Sequence, residues 1–174
     1  KFFGKTSLEL KTEFPDVHLS VVGRDYDHLK GEFLNLIERY DIGHHVTICE
    51  ALSEEDLLKE MAEAAYFISA SEYEGFGLSS LEAMAGGRTA FLSQIPSFKK
   101  MVSDGKNGYL VDFEDMDSAA EKIKQVLRSG AHDSVRFAGV ETARQHSWGA
   151  IVDKFISMYE MVQNEETAPV SKVK

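Results

Sequence analysis

Residues 65–85 read AYFISASEYEGFGLSSLEAMA, and their order decides the fold. Ala65-Tyr66-Phe67-Ile68-Ser69 is a short apolar run with the length of a buried strand. Ala70 to Gly77 is a polar loop carrying two glycines. Leu78 to Ala85 has the spacing of a short helix and stops at Gly86-Gly87, a C-cap signal. Strand, glycine loop and helix form half of a crossover, the connection that parallel strands require.

The same alternation extends both ways. Upstream, Val17 to Val22 reads as a buried strand closed by Gly23, and Asp25 to Tyr40 as a helix with Phe33, Leu34, Leu36 and Ile37 on one face. Val46 to Cys49 is a second strand. Ser53 opens the next helix as its cap, paired with Asp56 in a capping-box pattern. Downstream, Thr89 to Leu92 is a fourth strand, Pro96 to Val102 a short helix, Asp104-Gly105-Lys106-Asn107-Gly108 a turn, and Tyr109 to Val111 a fifth strand. Three helical stretches follow, Asp117–Arg128, His132–His146 and Ser147–Val162. Strands separated by helices predict an α/β fold, a Rossmann-like doubly wound parallel sheet with a helical C-terminal segment. Residues 1–163 are expected to form one domain and 164–174 a loose tail. Lys1 to Phe14 reads as a helix, whereas a doubly wound domain opens on a strand, so the expectation is a fragment lacking its first strand.

The chain has 174 residues, 19 Lys+Arg against 29 Asp+Glu, and a net charge of −10. Its 43% apolar residues suffice for a core. The acidic balance argues against nucleic acid as a partner. No run approaches the roughly 18 apolar residues of a spanning helix. One cysteine, Cys49, rules out an internal disulfide. The expected setting is cytoplasmic, with contact at the inner membrane face only through a part outside this chain.

Ligands of doubly wound sheets sit at the carboxyl ends of the strands, which directs attention to Ser71 through Ala85. Gly75 and Gly77 allow close backbone approach and positive φ. The amides of Gly77, Leu78 and Ser79 open a helix, where unpaired donors and the helix dipole suit a phosphate. Glu74 in the loop and Glu82 one turn into the helix can each accept from two neighbouring hydroxyls. Two diols flanking a diphosphate describe a nucleotide-sugar. A plain glycine-rich turn with two exposed glutamates reads equally well from this loop alone.

Glu74, seven intervening residues and Glu82, with Gly75-Phe76-Gly77 after the first, resembles the signature of the group 1 (family four) retaining glycosyltransferases, which pair two Rossmann-like domains in the GT-B architecture. Leu19-Ser20-Val21-Val22-Gly23, Ser53–Met61, Ala83-Met84-Ala85-Gly86 and Asp104–Val111 resemble further family segments in order. The resemblance implies the C-terminal, donor-binding half of such an enzyme. It implies that Glu74, the candidate catalytic residue, contacts donor-sugar hydroxyls. Gly75, Phe76 and Gly77 would offer amides to the sugar, Leu78 and Ser79 amides to the diphosphate, and Glu82 would hold the ribose. Gly23, Arg24, Glu50 and Ala51 would flank the base or the cleft. Donor is a nucleotide-diphosphate sugar; partners are an N-terminal domain of the same protein and an acceptor sugar, free or lipid-linked. No cofactor and no metal are implied. Three departures stand out. The family's basic Arg-then-Lys clamp is missing, with only Lys1 or Lys5 nearby; Thr89 stands where Pro is common; Lys100 stands near a usual acid.

Rival readings are a non-enzymatic partner-binding or receiver-like α/β module and a sugar-nucleotide epimerase domain. Other residues are read conservatively. His44-His45 are adjacent and have no metal-ligand spacing; Cys49 reads as a small buried residue; His132 and His146 read as surface positions. Trp148 reads as an anchor for the last helix, and Phe155, Ile156, Met158, Tyr159 and Met161 as a packing surface. Phe98, Lys99, Lys100 and Met101 are candidates to line the cleft.

Overall fold

The computed structural model describes residues 13–23, 29–130 and 132–166. Strands β1 (Leu19–Val22), β2 (Val46–Cys49), β3 (Tyr66–Ser69), β4 (Thr89–Ser93) and β5 (Tyr109–Val111) alternate with helices α1 (Lys30–Arg39), α2 (Glu54–Glu63), α3 (Leu78–Ala85) and α4 (Pro96–Met101). Helices α5 (Met116–Ser129), α6 (Asp133–Gln145) and α7 (Trp148–Glu166) follow. The last helix reaches Glu166, past the expected start of the tail at Asn164. The expected N-terminal helix lies outside the described residues except at its end, where Glu13 is helical.

Every ladder is parallel. β4 is the middle of a three-stranded sheet, with Tyr66 opposite Thr89 and Phe91 opposite Tyr109. All five of its residues are buried. Side chains alternate across a strand, so Ala90 and Leu92 enter one core with Leu81, Met84, Phe98, Val102 and Ala143, under α3, α4 and α6. Phe91 enters the other with Val111, Ala119, Ile123 and Val126, against α5. A sheet covered on both faces is why this strand reads as a continuous apolar run.

β1 and β2 pair separately, from Leu19 opposite Val46 to Val22 opposite Cys49. Among the described residues the single sheet expected from the sequence is therefore two. In the doubly wound order 3-2-1-4-5-6 the break between β1 and β3 is the place of the opening strand. β1 is also not the buried strand its composition suggests. Its residues alternate between half-buried and exposed, and Val22 is 41% exposed. β-branched composition marks a strand but does not say how many of its faces are covered.

Local chemistry fixes the ends of elements. Ser53 Oγ accepts the Asp56 amide at 3.1 Å and donates to Asp56 Oδ2 at 2.7 Å, starting α2. Asp115 accepts from the Ser118 amide and starts α5. In the turn before β5, Asn107 Oδ1 accepts from the Ser103 amide, while its Nδ2 donates to Met101 O and Thr142 Oγ1. Arg88, unremarked in the sequence, donates to the carbonyls of Ala62, Ala64 and Gly86. It ties the ends of α2 and α3 together, using the acceptors that a helix C-terminus leaves unpaired. His132 is buried at 9% exposure, edge-on to Tyr66, and not a surface residue. Trp148 is 85% exposed and anchors nothing among the described residues.

Candidate functional site

The site grows from the end of β3. Ser69 Oγ lies 3.1 Å from Ser71 Oγ, and Ser71 Oγ donates to Glu74 Oε1 at 2.9 Å. Ser93, at the end of β4, donates its hydroxyl to the Ser71 carbonyl. A hydroxyl relay from two strand ends thus holds the half-buried Glu74 carboxylate at the carboxyl edge of the sheet. Its second oxygen has no partner among the described residues.

Gly77 is the N-cap of α3, with φ +87° and ψ 49°. An alanine Cβ there would lie 2.5 Å from Phe98 Cε1. Glycine is thus required twice, by the left-handed backbone and by the close approach of α4. The Ser80 and Leu81 amides turn back to the Gly77 carbonyl. No side chain caps the helix and no acid stands in its first turn. The amides of Leu78 and Ser79 are therefore open at the positive end of the dipole, the arrangement that binds an oxyanion. Phe76 and Leu78 are exposed beside them, and Glu82 is exposed one turn on.

A cavity of about 370 Å³ adjoins this loop, lined by its Glu74, Gly75 and Phe76. Pro96, Ser97, Lys100 and Met101 of α4 and His146 from the corner after α6 complete the lining. His146 contradicts its surface reading. It is half-buried, its Nδ1 donates to Thr142 O at 2.8 Å, and its ring lies 5.6 Å from that of Phe76. No spacing in the sequence brings His146 to Glu74; the packing of α6 on α3 does. Of the four cleft candidates on α4, Lys100 and Met101 line the cavity. Phe98 is fully buried beneath Gly77 and serves the core instead.

Gly23, Glu50 and Ala51 lie at the carboxyl ends of β1 and β2. The Gly23 amide donates to Cys49 O at 3.2 Å. Glu50 pairs with Lys30 at 3.0 Å, and Ala51 has φ +51°, a conformation an alanine seldom adopts. No hydrogen bond or ion pair joins these three to the Glu74 loop among the described residues. Arg24, Lys1 and Lys5 lie outside the described residues. Cys49 is half-buried, and burial pushes its thiol up, away from the thiolate a nucleophile needs. No three His, Cys, Asp or Glu side chains gather as a metal site among the described residues. No helix among them is long and apolar enough to cross a membrane.

A doubly wound parallel fold with an uncapped helix behind a loop glutamate places the chain in the class of Rossmann-like α/β domains. Comparison with known proteins narrows it: the family described as glycosyl transferases group 1 matches residues 6–146. The chain belongs to that family, which sets aside the receiver-like and partner-binding readings. Among curated relatives, a GDP-mannose:cellobiosyl-diphosphopolyprenol alpha-mannosyltransferase of Xanthomonas oryzae pv. oryzae is 27% identical, over 83% of this chain and 39% of its own length. A phosphatidyl-myo-inositol mannosyltransferase of Mycobacterium leprae is 27% identical over 86% of this chain and 39% of its own. The chain thus spans about 39% of these relatives. Among solved structures, the pneumococcal O-GlcNAc transferase in complex with UDP and GlcNAc superposes with TM-score 0.78 at 20% identity, covering 93% of this chain and 33% of that one. The C-terminal domain of a glycosyl transferase group 1 family protein from Francisella tularensis superposes with TM-score 0.71 at 21% identity, covering 83% and 76%. These likenesses carry the fold: a Rossmann-like half of the GT-B architecture.

Proposed function

We propose that this chain is the donor-binding half of an enzyme that transfers a glycosyl group, with retention, from a nucleotide-diphosphate sugar to an acceptor hydroxyl. The observation that carries the reading is the uncapped start of α3 directly behind the held carboxylate of Glu74. The anomeric carbon–oxygen bond to the diphosphate breaks and its electron pair leaves with the diphosphate, while the acceptor oxygen bonds to the anomeric carbon on the same face and gives its proton to the departing diphosphate oxygen. The Leu78 and Ser79 amides stabilise that charge without needing to reorganise, and Gly75, Phe76 and Gly77 line the sugar. Glu74 accepts from sugar hydroxyls, the exposed Glu82 from the ribose. Gly23, Arg24, Glu50 and Ala51 border the base side of the cleft. The proposed reaction calls on no metal or other cofactor.

The rest of the protein supplies what these residues lack. Relatives more than twice as long support a second domain bringing the acceptor, and the break between β1 and β3 is where an upstream strand of this domain fits. The exposed α7 residues Phe155, Ile156, Met158, Tyr159 and Met161 are suited to pack against that second part. The relatives' names, with diphosphopolyprenol and phosphatidyl-inositol acceptors, support a lipid-linked acceptor met at the cytoplasmic membrane face, in polysaccharide or glycolipid assembly. By itself the chain should bind donor and transfer nothing.

Thermal shift and calorimetry on the 174-residue chain test this with GDP, UDP and ADP and their common hexose conjugates. At least one nucleotide should stabilise the chain, EDTA should not weaken it, and Glu82→Ala should cost about ten-fold in affinity, one lost charged hydrogen bond. Absence of any nucleotide effect at millimolar concentration would overturn the reading.

A further inference from the structure

The cavity beside Glu74 has a second wall, formed by α4 and the α6–α7 corner, whose polar groups are unspent. Lys100 makes no ion pair among the described residues, in a chain with 29 acids. Ser97 Oγ is buried without a partner. A carbonyl oxygen only accepts, so the hydrogen bond from His146 to Thr142 O fixes the ring proton on Nδ1 and leaves Nε2 unspent. The wall is also held rigidly. Asn107 donates both to Met101 O, at the end of α4, and to Thr142 Oγ1, in the residue whose carbonyl holds His146. Phe76 and Met101 add apolar surface between these groups.

A pyranose needs this inventory. Its hydroxyls both donate and accept, and its C–H face is apolar. At about 370 Å³ the cavity has the size of a small-ligand pocket, typically about 300–1,000 Å³. Around this lining Glu74 accepts, Lys100 donates, Ser97 does both, and His146 presents Nε2. Resting on the donor reading above, we propose that Lys100, Ser97 and His146 read the hydroxyls of the pyranose held against Glu74 and so set which sugar this protein accepts. The ring is either the donor's glycosyl group or the acceptor's terminal sugar, and affinity measurements separate the two.

The nucleotide that binds best, its sugar conjugates, and the methyl glycoside of each sugar in the presence of that nucleotide are titrated into the 174-residue chain. Lys100→Met keeps the stem of the side chain, and His146→Phe keeps the ring on Phe76. If the ring is the donor's, both variants bind the free nucleoside diphosphate within about two-fold of wild type but the nucleotide-sugar about ten-fold more weakly. If it is the acceptor's, nucleotide and nucleotide-sugar are unaffected and glycoside binding is lost. Wild-type affinity of both folded variants for every sugar ligand overturns the proposal, as does a wild type for which the sugar adds nothing. If no nucleoside diphosphate binds wild type, the donor reading is overturned instead, and methyl glycosides of the common hexoses titrated without nucleotide then decide this proposal alone. Ser97→Ala, which removes an unpaired hydroxyl without cutting a hydrogen bond, is the third variant and guards against misfolding of the other two.

Discussion

Replacing Gly77 with alanine should be the most damaging single-methyl change in the site. The backbone there has φ +87°, a region that costs an L-residue about 1–2 kcal/mol. The new Cβ would also stand 2.5 Å from Phe98 Cε1 and 3.3 Å from Cδ1. Phe98 is fully buried within the core shared by Leu81, Met84 and Leu92, so its ring has nowhere free to go. Forcing a core side chain aside costs about 1–3 kcal/mol. The two terms together give about 2–5 kcal/mol, a large share of the 5–15 kcal/mol typical of a domain. At about 2–4 °C per kcal/mol for a chain of this size, the melting temperature should fall by roughly 10 °C. Gly75→Ala is the control: nothing lies within 4 Å of its added methyl and its φ is not positive. It should shift stability by under about 1 kcal/mol. Phe98→Leu in the Gly77→Ala background should recover part of the loss relative to Phe98→Leu alone, because it opens the space the methyl needs. Thermal unfolding of the five proteins measures all of this. A Gly77→Ala chain that melts within a degree or two of wild type would refute the reasoning, and additive effects in the cycle would refute the steric half of it.

Two further expectations concern stability. Arg88→Met removes the donors to the Ala62, Ala64 and Gly86 carbonyls, so it should cost about 1–3 kcal/mol and speed amide exchange in the last turn of α2; unchanged exchange there would contradict it. The hydrogen bond from Arg128, with its charge, holds the Glu13 carboxyl below its ordinary value of 4.5. A depressed carboxylate stabilises the folded state above that value and loses the effect as pH falls through its lowered pKa. The melting difference between wild type and Glu13→Gln should therefore shrink on acidification below about pH 4.5, and shrink at neutral pH when salt is added to this exposed pair; a difference independent of pH would contradict it.

The fold and the glycine loop after β3 were legible because their signals are local. β4 reads as an apolar run because both of its faces are covered, Ser53 announces the helix that it caps, and Gly77 sits where only glycine fits. The separation of β1–β2 from the other sheet was not legible, since composition marks a strand without naming its neighbours. The same limit explains the residues that moved roles. Phe98 reads as a cleft residue from its place after a strand, but its side of α4 turns under Gly77. His146 reads as surface from its place at a helix end, but the packing of α6 against α3 carries it to Phe76.

By itself the sequence determined the βα alternation, the loop glutamate, the glycine at the head of α3 and the family to which they belong. Each depends on φ, on hydrogen bonds a few residues long, or on apolar period, and these are properties of neighbours along the chain. Tertiary structure alone decided the wall facing Glu74 and the seat of Gly77 on Phe98. It also decided the use of Arg88 as a tie between two helix ends. Those depend on which helix faces meet across the sheet, and only close packing of the whole core selects that.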